Sequence, residues 1–61
     1  MGEYICHFVF EGEVVKQAYQ AEWYYAAMAM HNQFFPRHAD QVVKWVSPEG
    51  LTIHTHDPSA Y

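Results

Sequence analysis

The run His54-Thr55-His56-Asp57 is the sharpest chemical signal in this sequence. Alternate residues of a strand point the same way, so both imidazoles reach one metal ion if this run is extended. Zinc needs a third and usually a fourth ligand. His7 is expected on the same sheet face, but two strand spacings are about 10 Å, and Lys44 is expected between the histidines, where its charge opposes a metal. His54 and His56 are therefore the candidate metal ligands, and they define a metal-responsive module as an alternative function. Without a metal they are solvated strand residues.

Cys6-His7 sets a thiol beside a base, but neighbours on a strand face opposite ways and do not pair. Cys6 then reads as a small core residue, the usual state of a free cysteine. There is no phosphate loop, nucleophile elbow or CxxC pair. A domain of this size has little interior for a substrate cavity. The chain is expected to bind rather than catalyse, with no catalytic residue and no cofactor.

The totals narrow the classes further. Sixty-one residues make a single domain, 1–61, of marginal size for independent folding. One cysteine allows no internal disulfide, so stability must come from an aromatic core, a metal or a second copy of the chain. A homodimer is one expected state. Aromatics at 18% favour the first source. Seven acids against three bases give a net charge of −4. Three bases cannot neutralise a run of phosphates, so direct nucleic-acid binding is disfavoured. The acids are scattered, which makes an acidic nucleic-acid mimic a thin alternative. No stretch approaches the roughly 20 apolar residues of a membrane span. Met1-Gly2-Glu3 lacks the basic start of a signal peptide, and the lone thiol fits a reducing cytoplasm.

The elements that position these residues follow from period and turn chemistry. Residues 3–10, rich in aromatic and β-branched types, read as a strand. Glu11-Gly12 resembles an Asp-Gly hairpin turn and returns the chain into a second strand over 14–21. That turn pairs Phe8 with Val15 and Tyr4 with Tyr19. Residues 22–35, rich in alanine and methionine, read as a helix that Pro36 stops, with Glu22 near its positive end. Trp23, Ala27, Met30 and Phe34 form the expected buried stripe. Residues 41–47 and 51–56 read as strands three and four around the Pro48-Glu49-Gly50 turn, which pairs Trp45 with Ile53 and Val43 with Thr55. The predicted fold is α+β, a four-stranded antiparallel sheet with one helix on one face (ββαββ). A long helix from Val14 is the competing reading, and its apolar stripe is poor.

One short helix covers one face of four strands. The predicted core face holds Tyr4, Cys6, Phe8, Phe10, Val15, Tyr19, Val43, Trp45, Leu51 and Ile53. The other face then shows Ile5, Val9, Val14, Ala18, Val42 and Val46 beside His7, Lys16, Lys44, Thr52, His54 and His56. Six apolar residues exceed what a solvated face needs, and such patches mark interfaces. Trp23-Tyr24-Tyr25 adds a second candidate: successive helix positions diverge by about 100°, so Tyr24 and Tyr25 cannot both follow Trp23 into the core. The candidate binding residues are Ile5, Val9, Val14, Val42, Val46, Tyr24 and Tyr25, and the expected partner is a protein.

At Gln20-Ala21-Glu22 the second strand runs into the helix, and Ala26, Ala27 and Met30 follow. This layout resembles small phage-encoded ββαββ proteins, among them certain anti-CRISPR inhibitors. The resemblance covers most of the chain in layout and carries no functional residue over. It implies a protein that binds a host nucleoprotein machine and blocks it.

Overall fold

The structure is a computed structural model that describes residues 1–36 and 41–53. Two long strands, β1 (Gly2–Phe10) and β2 (Glu13–Ala21), lead into α1 (Tyr24–Phe34), followed by β3 (Val42–Val46) and a short β4 (Thr52–Ile53). The sheet is antiparallel throughout, in the order β2-β1-β3-β4. The predicted α+β fold is the observed one.

The first hairpin closes as its turn chemistry requires. Glu11 and Gly12 both have positive φ, 52° and 82°, the pattern of a two-residue turn whose twist matches its strands. Phe8 pairs with Val15 and Tyr4 with Tyr19 in the expected register, and the strand reading of β2 displaces the long-helix alternative. In the second hairpin Gly50 takes φ 86°, and the Ser47 amide donates to the Leu51 carbonyl at 2.8 Å. Trp45 then faces Ile53 as predicted. The proposed pairing of Val43 with Thr55 involves a residue outside those described.

Three expectations are corrected. The register between β1 and β3 slips between His7 and Phe8, so Lys44 faces His7 but Val42 faces Phe8. The extra residue on β3 is a bulge, which reverses the facing of the chain beyond it. Val42 therefore packs against the core, and Val43 is the exposed neighbour. Leu51 sits in the loop just before β4 and is exposed as well, because the turn and not the strand sets its direction. The helix begins two residues later than predicted. Trp23 is its extended N-cap (φ −150°) and lies 61% exposed, and Glu22 stays outside the first turn. Helical spacing cannot bury a residue that precedes the helix.

The buried stripe is displaced in consequence. Ala27 and His31 are its fully buried members, with Tyr24, Met28 and Phe35 packed beside them. Met30 packs partly against the core, and Phe34 is exposed, its ring stacked along Tyr19 at 6.3 Å. The helix lies over β2 and β1. Beneath it, Cys6, Phe8, Tyr19, Ala21 and Trp45 complete the core. Its rings interlock: Phe8 meets His31 edge-on at 4.6 Å and Phe35 at 4.9 Å, and Trp45 stands edge-on to Tyr24 and His31. Burying a side chain the size of Phe8 contributes about 1.5–3 kcal/mol.

Candidate functional site: the open sheet face

The strand alternation that buries Cys6 and Phe8 turns Ile5, His7 and Val9 to the side without a helix. Across β2 they meet Ala18, Lys16 and Val14, and across β3 Ile5 meets Val46 and His7 meets Lys44. Val46 continues to Thr52 on β4. Ile5, Val9 and Val46 are half-buried, and Ala18 and Val14 are exposed, Val14 at 62%. Five apolar residues thus share this face in two groups, Ile5 with Ala18 and Val46, and Val9 with Val14, and Val42 is not among them. At one end Glu3 accepts a hydrogen bond from the Gln20 amide at 3.3 Å.

One row crosses the middle of this face. His7 is flanked by Lys16 on one side and Lys44 on the other. Directly opposed strand residues have Cβ atoms about 4.5–5.5 Å apart. Partial burial, then Lys44, then Lys16 lower the His7 pKa below its ordinary 6.5, which favours the neutral ring. The unfolded chain takes up a proton at His7 before the folded one does, so stability rises with pH across the window below 6.5 and is lost as pH falls through it. Urea midpoints are expected to fall between pH 7 and pH 5, and His7→Gln should remove that part of the slope. An unchanged slope in His7→Gln contradicts this assignment.

The Tyr24/Tyr25 candidate divides. Tyr24 is half-buried against Tyr4 and Trp45, and its work is packing. Tyr25 is 77% exposed, beside Tyr24, and is the one of the pair open to a partner. His54 and His56, the candidate metal ligands, lie outside the described residues. Among the described residues no group of three or more histidine, cysteine or acidic side chains is placed to hold a metal ion.

Cys6 faces the core while His7 faces the open side, as strand alternation requires. Burial pushes the Cys6 thiol up to about 12 and, with Cys6 beside it, the Tyr19 hydroxyl to about 12. The Tyr19 hydroxyl and His31 Nδ1 share a hydrogen bond of 2.7 Å, which lets an imidazole sit in the core. His31 was not among the stripe residues expected from the sequence, yet it stands four residues after Ala27 and seven after Tyr24, the spacing of one helix face. A thiol with so little thiolate is a poor nucleophile. Cys6 in the native protein is expected to resist a thiol reagent at pH 8 and to react fully in denaturant. Rapid labelling without denaturant contradicts its burial.

No protein-family model matches the chain, and neither a curated protein nor a solved structure matches it. Among the described residues no helix is long and apolar enough to cross a membrane.

Proposed function

We propose that this chain is a small, non-enzymatic protein-binding module that covers a surface of a partner protein with its open sheet face. The observation that carries the reading is the gathering of Ile5, Val9, Val14, Ala18 and Val46, in two strips, on the side the helix leaves bare. Apolar strips around a short polar row are a pattern that interfaces favour. In its narrower form the module is an inhibitor that acts by occlusion, of the sort the phage ββαββ layout implies, working in a cytoplasm where its thiol stays reduced. A photo-crosslinking residue placed at Ala18, in the cell from which the chain comes, is expected to trap one protein species. The same residue at Gln33, on the exposed side of α1, should trap none. Equal trapping from both faces, or trapping from Gln33 alone, defeats the reading.

A further inference from the structure

The chain has two lysines, and both stand on the open face in one row with His7. The two ammonium groups stand on either side of β1, about 10 Å apart at the backbone, and both disfavour a proton on His7 between them. Of the described acids only Glu3 shares this face, at its far end. Glu11 and Glu13 are at the first hairpin turn, Glu22 and Glu49 are near the opposite end, and Glu3 is engaged by Gln20. No described carboxylate is paired with the row. The row is bounded along the strands by Ile5, Ala18 and Val46 on one side and by Val9 and Val14 on the other. An acidic protein therefore presents a cationic stripe between two apolar strips. A second copy of the chain stacked row on row would oppose four lysines, which disfavours that occupant.

We propose that the Lys16–His7–Lys44 row is a carboxylate-binding site, which takes an acidic side chain of the partner while the flanking apolar residues take its apolar neighbours. The proposal rests on the open-face reading above. Ammonium groups donate charge-assisted hydrogen bonds to a carboxylate, and the apolar strips exclude water from them. The groups facing His7 among the described residues are Lys16 from β2 and Lys44 from β3, with Glu3 farther along β1. A bound carboxylate offsets the lysines, and His7 takes up a proton on binding.

The test is a titration of the ¹⁵N-labelled full chain with a blocked peptide holding one glutamate between two leucines, with serine flanks. Its glutamine counterpart and inorganic phosphate serve as the other probes. The glutamate peptide is expected to shift the amides of His7, Val9, Lys16, Lys44 and Val46. It should bind about tenfold more tightly than the glutamine peptide. Lys16→Gln with Lys44→Gln should remove that difference. Lowering the pH from 7.5 to 6 should strengthen glutamate binding in the native chain and not in His7→Gln. If both peptides bind the face equally and only Val9→Glu abolishes them, the carboxylate site is overturned and the apolar face stands. Phosphate shifting the row as strongly as the glutamate peptide also overturns it, in favour of a general anion site. If neither peptide perturbs the face, both readings fail.

Discussion

A single glutamate in place of Val9 is expected to weaken partner binding at least a hundredfold and to leave the fold intact. Val9 is half-buried on the open face beside Val14, so in the free protein a carboxylate there still reaches water. The expected cost to folding is about 1 kcal/mol. In a complex the same carboxylate is desolvated among apolar groups, and an unpaired buried charge costs about 3–5 kcal/mol, or 100-fold and more in affinity. Val46→Glu should behave in the same way. Val42→Glu separates the observed face from the predicted one: Val42 packs against the core across the bulge, so this variant should lose its fold and not merely its partner. The check is recovery of the partner on immobilised protein alongside a circular-dichroism melt of each variant. Partner recovery undiminished by both Val9→Glu and Val46→Glu removes the open face as the interface.

Trp45→Ala is expected to leave the chain largely unfolded at room temperature. Trp45 is 2% exposed and stands against Tyr19, Tyr24 and His31. Truncating a buried aromatic to alanine costs about 3–5 kcal/mol. At about 0.05–0.15 kcal/mol per residue, a chain of this length has roughly 3–9 kcal/mol in all. Leu51→Ala and Trp23→Ala remove equally apolar groups from exposed positions and should change stability by no more than about 0.5 kcal/mol. Urea denaturation followed by circular dichroism distinguishes the three. A loss in Leu51→Ala comparable to that in Trp45→Ala would contradict the core described here.

The first hairpin was readable because its information is local. The Glu11-Gly12 turn fixes the register, and the register fixes the facing of every residue from Tyr4 to Tyr19. The faces of β3 were half-readable for the opposite reason. Trp45 and Val46 follow from the Pro48-Glu49-Gly50 turn, but the bulge that turns Val42 inward arises from pairing with β1, far away in sequence. No residue type on β3 announces it. The helix was recognised by composition, yet its buried stripe was misplaced. Trp23 belongs to the cap, and His31 is made an acceptable core residue by Tyr19, twelve positions earlier. At the candidate site the apolar members Ile5, Val9, Val14 and Val46 and the cationic members Lys16 and Lys44 were already assigned to one face. Lys16 falls opposite His7 through the first hairpin's register, but bringing Lys44 to the other side of His7 required β1 to lie next to β3, which no single segment encodes.

The account depends on the open face being uncommitted in the isolated protein and held for a different protein. Sedimentation equilibrium at two concentrations, on the native chain and on Val9→Glu, tests this directly. A monomer at both concentrations is predicted for both proteins. A dimer of the native chain that Val9→Glu dissolves would show the face occupied by a second copy and would contradict the account.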